Sequence, residues 1–301
     1  PDIETSDQAA LFAELEWPPP GEWLSTLEAS PVIAGRDDPL NRLPARLDDG
    51  LVYLEKYWQA EHDVARDLAT LAADPPSQGP VSADDVVSSI SNALAASGIM
   101  LDPAQADAAI AAIMHRVSVL AGGPGTGKTT TVCALLAALQ QADPHLGAVA
   151  LAAPSGKAAA RLRDSVSQVS ERMPDDLKPI VADATTVHSL LKWQGPGTSF
   201  GYDEQHKLPF GVVVVDEASM LSLPLAASLL SAIGPQTRLI LVGDPGQLVS
   251  VDAGSVLADI VSSADALQAQ LPVTILTCNH RSRGDIARLS DCLLYTSPSP
   301  R

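Results

Sequence analysis

The sequence predicts an α/β fold in which helices flank a parallel β-sheet, preceded by a small and mostly helical N-terminal domain. Three observations support this prediction. Apolar runs of strand length alternate with Ala- and Leu-rich helical stretches, most polar motifs directly follow one of these runs, and a segment rich in Pro at residues 73–80 interrupts two helix-like stretches. Alternation of this kind is typical of parallel sheets that are covered by helices.

Residues 1–76 are predicted to form a separate domain, because the sequence ADPPSQGP at residues 73–80 breaks the helical pattern. Within it, residues 51–58 are expected to form a short strand and residues 61–73 an amphipathic helix. Residues 1–100 carry 18 acidic and 5 basic residues, a net charge of −13, whereas residues 101–301 carry 18 and 14, a net charge of −4. A solvated face or a surface for a protein partner would explain this acidity, and neither requires contact with nucleic acid.

Residues 77–291 are predicted to form the domain that contains the sheet. Its strands are expected at residues 117–121, 148–153, 211–215, 238–242 and 273–276. The run of four valines at residues 212–215 predicts a strand that is buried on both faces. Because the carboxyl ends of parallel strands meet at one edge of a sheet, functional loops are expected at that edge.

Bulk composition excludes several classes of protein. No run of 18 apolar residues is present, and the first thirty residues are acidic and contain proline, so neither a membrane span nor a signal peptide is predicted and a cytoplasmic location is expected. The three cysteines, Cys133, Cys278 and Cys292, are far apart and lack metal-ligand spacing. Free thiols are therefore expected rather than disulfides or a zinc site.

A phosphate-binding loop is predicted where the apolar run VSVLA is followed by GGPGTGKTT and then by a helix-like stretch. Its glycines let backbone N–H groups surround phosphate oxygens, and the helix start adds partial positive charge. Lys128 is expected to reach the β- and γ-phosphates, and the Thr129 hydroxyl to ligate Mg²⁺. The candidate nucleotide-binding residues of the loop are Gly122, Gly123, Pro124, Gly125, Thr126, Gly127, Lys128, Thr129 and Thr130.

An acidic pair, Asp216 and Glu217, directly follows the four valines. Carboxylates next to an apolar core are costly unless a cation neutralises them, and Mg²⁺ would provide that compensation. We expect Asp216 to hold the metal and Glu217 to orient or deprotonate the water that attacks the γ-phosphate. A helix N-cap is the alternative interpretation of such a pair.

The loop and the acidic pair occur in many proteins that bind a nucleotide with Mg²⁺, and two further motifs help to distinguish among those proteins. In LVGDPGQL, Gln247 is placed to sense the γ-phosphate and to report it to bound DNA. In AAPSGKAAARL, Ser155 and Lys157 flank a helix start, where hydroxyl, N–H and ammonium groups can hold a DNA phosphate.

Together, these motifs resemble those of the superfamily 1 helicases, and within them the RecD group, the alpha chain of exodeoxyribonuclease V. GGPGTGKTT is similar to helicase motif I, APSGKAAARL to motif Ia, VVVDEASM to motif II, LVGDPGQLVSV to motif III and LTCNHRS to motif IV, while TTVHSLL is similar to the segment after motif Ia. The motifs occur in the family's order, and the resemblance covers roughly residues 40–290.

This resemblance implies that residues 77–291 form the first RecA-like ATPase domain of a helicase. It implies that Gln105 reads adenine, so that the nucleotide is ATP, and that Arg281 contacts the γ-phosphate and stabilises charge in the transition state. Thr186 and His188 are expected to lie along a single DNA strand. The alternatives are a solvated arginine at a helix start for Arg281 and a packed core histidine for His188.

The resemblance also implies a function and partners. The chain is expected to be the ATP-dependent 5′→3′ DNA helicase subunit of a RecBCD-like heterotrimer with RecB-like and RecC-like subunits, acting on a duplex end in double-strand break repair and recombination. LVYLEKYWQAEHDVARDL resembles the module that docks onto the RecC-like subunit, although Tyr53, Tyr57 and Trp58 are equally explained as core aromatics. The alternative function is a nucleotide-switched interaction subunit without productive motor activity.

The carboxyl-terminal part departs from the family pattern. After motif IV, residues 292–301 have the Ser/Pro composition of a disordered tail, and a second RecA-like lobe is not found. We expect these ten residues to be non-native and the chain alone to bind nucleotide weakly without translocating on DNA.

Overall fold

The computed structural model of the protein describes residues 18–38, 43–76, 81–195, 200–247, 254–263 and 271–280. Its helices are α1 (Pro20–Glu28), α2 (Glu55–Ala73), α3 (Ala83–Ala96), α4 (Pro103–Met114), α5 (Lys128–Ala142), α6 (Gly156–Arg172), α7 (Val187–Leu190), α8 (Leu223–Ala232) and α9 (Val256–Ser262). Its strands are β1 (Ile33–Ala34), β2 (Ala45–Asp48), β3 (Leu51–Leu54), β4 (Val117–Gly122), β5 (Val149–Ala153), β6 (Thr185–Thr186), β7 (Val212–Val215), β8 (Arg238–Gly243) and β9 (Val273–Leu276). The tail predicted at residues 292–301 lies outside the described residues.

The chain divides into two compact units, Pro1–Ala60 and Glu61–Arg301. This division lies within α2, nearer the N terminus than the predicted boundary after residue 76. The physical reason is that Val64 and Leu71 of α2 are buried in the apolar core on one face of the large sheet. The boundary after residue 76, between a partner-docking domain and an ATPase domain, stays a prediction.

The first unit contains a three-stranded sheet in the order β1-β2-β3, with β1 parallel and β3 antiparallel to β2. The expected strand at residues 51–58 is half right, because β3 ends at Leu54 and α2 begins at Glu55. Trp58 belongs to the helix, where its indole N–H donates to Asp48 at 2.8 Å.

Arg46 on β2 is fully buried at the centre of this unit. Its Nε and Nη2 donate to the Glu55 carboxylate at 2.8 and 2.9 Å, and its Nη1 donates to three main-chain carbonyls of residues 35–38. The guanidinium also lies 4.1 Å from the ring centre of Trp58. Since a buried charge is costly without such partners, one side chain organises the interior of this small unit.

The second unit is built on a parallel six-stranded sheet in the order β6-β5-β7-β8-β4-β9. Each of the five predicted strands is present, with bounds that differ by at most one residue. The two-residue strand β6 was not predicted. The expected α/β fold with flanking helices is confirmed.

Both faces of this sheet are covered by helices, as the apolar runs predicted. On β7, Val212 and Val214 pack in the core with α3, α4 and α5, whereas Val213 and Val215 pack in the opposite core with α8 and α9. Side chains alternate between the faces of a strand, so only an unbroken apolar run can fill both cores. None of the described helices combines the length and apolarity that a bilayer crossing requires.

The described cysteines are free thiols, which confirms that expectation for Cys133 and Cys278. Cys133 lies inside α5, where burial raises the pKa of its thiol to about 12. It is therefore a small apolar core residue rather than a nucleophile. Cys292 lies outside the described residues.

Candidate functional site

The carboxyl edge of the six-stranded sheet collects the predicted motifs. Because all six strands run parallel, the loops that leave β4, β5, β7, β8 and β9 begin at this same edge. The strand before the phosphate-binding loop, β4, is separated by β8 from the strand that ends in the acidic pair, β7. Two strand spacings amount to roughly 10 Å, a distance that a bound triphosphate and its metal can span.

The loop between β4 and α5 has the shape that its glycines predict. Gly125 and Gly127 have φ angles of +83° and +85°, which glycine adopts without strain. A Cβ at Gly127 would lie 2.5 Å from the side-chain nitrogen of Gln105. Helix α5 starts at Lys128, so its first N–H groups face the loop. Both the turn and the close approach therefore require glycine at residue 127.

Lys128 donates from Nζ to the carbonyl oxygens of Gly122 and Gly123, at 2.6 and 3.1 Å. The Thr126 hydroxyl donates to Gly123 at 2.9 Å and is buried. These hydrogen bonds join side chains of the loop to its own carbonyl oxygens and stabilise its conformation. The ammonium is thus positioned over the loop in which the phosphates are predicted to bind.

Gln105 is buried behind the loop on the first turn of α4. Its side chain accepts from the N–H of Asp102 at 3.0 Å, and its own N–H donates to the Asp102 carboxylate at 2.9 Å, which forms a capping box. The side-chain nitrogen donates to the carbonyl of Thr126 at 3.3 Å. The structure therefore gives Gln105 a supporting role for the loop, and adenine recognition stays a prediction.

Asp216 follows β7 directly and is mostly buried. Burial raises the pKa of its carboxyl, as does the neighbouring charge of Glu217, and the positive charge of Lys128 opposes these effects. The charges of Lys128 and Asp216 are thus near enough to influence each other, and their joint role in binding nucleotide and metal stays a prediction. Glu217 has a φ of +52°, an unusual conformation for a residue with a side chain, and it caps a short 3₁₀ turn at Ala218–Met220.

The residues at this edge fit a magnesium ion that is held mainly by phosphate and water. A buried carboxylate whose charged form is disfavoured gains from a nearby cation. Thr129 and Thr130 lie half-buried in the first turn of α5. Among the described residues, no group of three or more His, Cys, Asp or Glu side chains is arranged as a metal site. One carboxylate with one hydroxyl suits Mg²⁺, which keeps several waters and uses substrate phosphates as ligands.

Asp244 is a site residue that sequence reasoning missed. It follows β8 and is buried, and its Oδ2 lies 4.0 Å from the position of a Cβ on Gly123. Its carboxylate accepts from the N–H of Gly246 at 3.0 Å and from the Gln247 side chain at 3.1 Å. Gln247 is exposed at this edge. The sequence could have indicated this residue, because Asp244 is the first polar residue after a strand that is buried along its whole length.

His280 is the second missed residue. Its main-chain N–H donates to the Gly125 carbonyl at 2.9 Å, and its ring Nε2 lies 3.2 Å from Oδ2 of Asp102. It thus connects the segment after β9 to the loop and to the cap of α4. Spacing along the sequence could not reveal this contact, because it joins residues far apart in the chain. Arg281 lies outside the described residues, so its predicted contact stays a prediction.

The residues predicted to bind DNA lie at the carboxyl ends of the adjacent strands β5 and β6 and in the helix starts that follow them. The Ser155 hydroxyl caps α6 by accepting from Ala158 at 3.2 Å, and Lys157 is exposed on the first turn of that helix. Thr186 caps α7 by accepting from Ser189 at 3.1 Å. Ala153 pairs with Thr186, so both helix starts lie next to each other.

His188 is exposed, and the alternative of a packed core histidine is therefore wrong. Its ring meets the Trp193 ring edge-on, with centres 5.8 Å apart, and lies 6.1 Å from the Phe200 ring. Trp193 is itself 48% exposed. The segment thus presents rings beside the two helix starts.

Comparison with known proteins agrees with this geometry. The family model described as "AAA domain" matches residues 105–253, which include the loop, the acidic pair and Gln247. "RecBCD enzyme subunit RecD" of Mycobacterium tuberculosis (strain CDC 1551 / Oshkosh) is 43% identical over 280 residues, covering 90% of this chain and 46% of that protein. The chain is RecD-like. Its similarity to an AAA domain over residues 105–253 implies nucleotide binding.

Two further proteins resemble the RecD-like chain. "ATP-dependent RecD2 DNA helicase" of Deinococcus radiodurans is 34% identical over 224 residues, covering 74% of this chain and 28% of that protein. The Pif1 helicase structure from Candida albicans has a TM-score of 0.42 and 19% identity, covering 65% of this chain and 43% of that one. The RecD-like chain spans less than half the length of the relatives it matches.

Replacing Gly127 with alanine should weaken ATP binding roughly tenfold or more, because a left-handed residue with a side chain costs about 1–2 kcal/mol and the new Cβ collides with Gln105. Titration with a fluorescent ATP analogue measures this. Gly98→Ala is the matched control, since Gly98 has a φ of +80° but open space around it. Equal affinity in the Gly127→Ala chain and the wild type would contradict the assigned loop.

Replacing Asp216 with asparagine should raise the Tm of the protein at pH 7 without magnesium. The pKa of this carboxyl in the folded protein is above its ordinary value of 3.8, so folding favours the protonated form. The free energy of unfolding therefore falls as the pH rises through the folded pKa, where the buried carboxyl becomes charged. The advantage of the variant should vanish as the pH falls toward 3.8. The variant should also lose stabilisation by Mg²⁺ with nucleotide. Asp164→Asn, on an exposed carboxylate, should show neither effect.

Proposed function

We propose that the chain is part of an ATP-dependent DNA helicase subunit that works in a RecBCD-like complex, in double-strand break repair and recombination. The observation that carries the proposal is that Lys128 lies near enough to Asp216, at the carboxyl edge of a parallel sheet, for its charge to lower the pKa of that carboxyl, in a chain that is RecD-like over nine-tenths of its length. The direction of movement, 5′→3′, belongs to the proposal and comes from the resemblance of the motifs.

In this proposal, the site binds ATP through the loop and hydrolyses its γ-phosphate. The N–H groups at the start of α5 and the Lys128 ammonium hold the phosphate oxygens and stabilise charge as it develops on them. A bound magnesium ion would neutralise phosphate charge next to Asp216 and Thr129. Glu217 would orient the attacking water, because it is the carboxylate next to the metal-binding one.

DNA is proposed to bind along the helix starts of α6 and α7. Hydroxyl groups and free N–H groups at a helix start favour a phosphate, and exposed Lys157 adds a full positive charge. The rings at His188 and Trp193 provide flat surfaces on which bases could stack. The residues proposed to bind DNA follow β5 and β6, whereas the phosphate-binding loop follows β4, so β7 lies between these strands in the sheet.

Signal transfer between the two sites is proposed to run through the segment after β8. Asp244 lies beside Gly123 of the loop, and its carboxylate holds the exposed side chain of Gln247. A phosphate that displaces groups near Gly123 would therefore change the position of Gln247. This supports the predicted role of Gln247 as a sensor of the γ-phosphate.

The first unit is proposed to dock onto a RecC-like partner. Its strand β3 lies at the edge of the small sheet and exposes Leu51, Val52 and Leu54, each by more than half of its surface. Trp23 and Val32 of the same unit are also exposed. Exposed apolar side chains gathered in one small unit are typical of an interaction surface.

The alternative, a nucleotide-switched subunit without motor activity, is not favoured. A relative that is 34% identical over 224 residues is named an ATP-dependent DNA helicase. The water-activating carboxylate that is proposed at Glu217 would also be unnecessary in a subunit that only switches when nucleotide binds.

Lys128→Ala and Glu217→Gln should each lower strand displacement by this subunit roughly 100-fold or more, because each removes a group that acts on the transferring phosphate. The assay uses the full-length heterotrimer and duplex DNA with a 5′ overhang. Lys178→Ala and Glu171→Gln are matched controls on exposed residues and should leave unwinding unchanged. Normal unwinding by both site variants would sink the motor assignment, and ATP turnover without unwinding in the wild type would favour the switch.

Val52→Lys should weaken association with the RecC-like partner roughly tenfold, because it places a charge in the proposed apolar contact. Val52 is 52% exposed, so the substitution should leave folding intact. Met100→Lys is the control, since Met100 is 73% exposed but belongs to the second unit. Affinity is measured by biolayer interferometry on the full-length subunit. Equal loss in both variants would argue against docking through β3.

A further inference from the structure

The opposite edge of the large sheet carries a second charged site. Arg116 directly precedes β4, and Arg238 is the first residue of β8. The two strands pair with Val117 opposite Leu239, so the arginines face each other across adjacent strands. They are 6% and 8% exposed. Two like charges directly opposite each other on neighbouring strands are destabilising unless something compensates them.

The described residues compensate the positive charges of these two arginines only in part. Arg116 has a good partner set, donating to the Asp74 carboxylate at 2.9 Å and to the Gly234 carbonyl at 2.6 Å. Among the residues that the structure describes, the Arg238 guanidinium has only the Asp143 carboxylate as an acidic neighbour, at 3.9 Å, which is too far for a hydrogen bond. Within the described parts of the chain, the Nε atoms of both arginines are buried without a hydrogen-bond partner.

The carboxylates near these arginines are more exposed than the arginines themselves. Asp74 and Asp143 have side chains that are 70% and 40% exposed, so water screens their charges. Burial lowers the pKa of Arg238, the charge of Asp143 partly opposes that effect, and the charge of Arg116 adds to it. The two buried guanidinium groups are therefore compensated only in part where the strands begin.

Both arginines line a cavity of about 540 Å³ at this edge. Its wall also includes the partly exposed carboxylates of Asp74 and Asp143, together with His145, Gln236 and the main chain at Gly147 and Gly211. A Cβ on Gly211 would lie 2.5 Å from the nitrogen of Gly147, so the two backbones are in contact and the wall is firm. The cavity is large enough for a small anion together with water.

We propose that this cavity binds an oxyanion, a phosphate or carboxylate group, at the guanidinium of Arg238 with support from Arg116. A planar guanidinium binds two oxygens of such a group at once, which supplies the hydrogen bonds that Asp143 is too distant to make. The site lies at the amino edge of the sheet, away from the loop that binds nucleotide phosphates. It is independent of the proposed helicase function.

Phosphate binding is tested on the full chain carrying Lys128→Ala, which weakens phosphate binding at the nucleotide loop. Sodium phosphate and, separately, sodium acetate are compared with sodium chloride at equal ionic strength. Phosphate or acetate should raise the Tm, since a ligand that binds only the folded state stabilises it. The anion that acts distinguishes a phosphate ligand from a carboxylate ligand. If neither anion raises the Tm above that in chloride, the proposal is overturned.

Two added substitutions assign the site. Arg238→Gln should abolish the shift, and Arg163→Gln, on an exposed arginine, should preserve it. Asp143→Asn should tighten binding roughly 3- to 10-fold, because it removes the competing negative charge beside Arg238. This gain of affinity, measured by calorimetric titration, decides the question even if Arg238→Gln fails to fold. An unchanged affinity in Asp143→Asn, or an unchanged shift in Arg238→Gln, would overturn the assignment.

Discussion

The carboxylate of Asp216 is an ionisable group at the end of a strand that is buried on both faces, and the site is arranged around its charge. Burial disfavours the ionised form, and Lys128 counters that effect from the neighbouring loop. A sheet whose strands all run parallel is what brings these two groups to the same edge. The fold thus creates an electrostatic demand that a divalent cation with a triphosphate would satisfy.

The sequence was sufficient for the parts of the structure that depend on local pattern. The five strands follow from apolar runs, and β4, β5, β7 and β8 are buried along their whole length because they fill a core on both faces of the sheet. The phosphate-binding loop follows from glycines that a side chain would obstruct, as at Gly127. These features are encoded within ten or twenty adjacent residues, which is why they could be predicted.

Features that depend on contacts between distant residues could not be predicted. Gln105 reaches Thr126, and His280 reaches Asp102, through folding that sequence spacing does not reveal. The start of α2 at Glu55 was missed for a similar reason, because the Glu55 side chain is held by Arg46 on β2. Likewise, the arginines at the amino edge become neighbours only when β4 and β8 pair.

Lys128 makes two hydrogen bonds to carbonyl oxygens of its own loop, and this affects the energetics of a catalytic cycle. A triphosphate that binds the Lys128 ammonium must replace those two hydrogen bonds. The net free energy of binding at this lysine is therefore the difference between its interaction with phosphate and its interaction with the carbonyl oxygens. The departure of the product is eased by the same amount, since the ammonium regains its former acceptors. The affinity for nucleotide is thereby moderated, and in the proposed helicase this would allow bound product to leave before the next nucleotide binds.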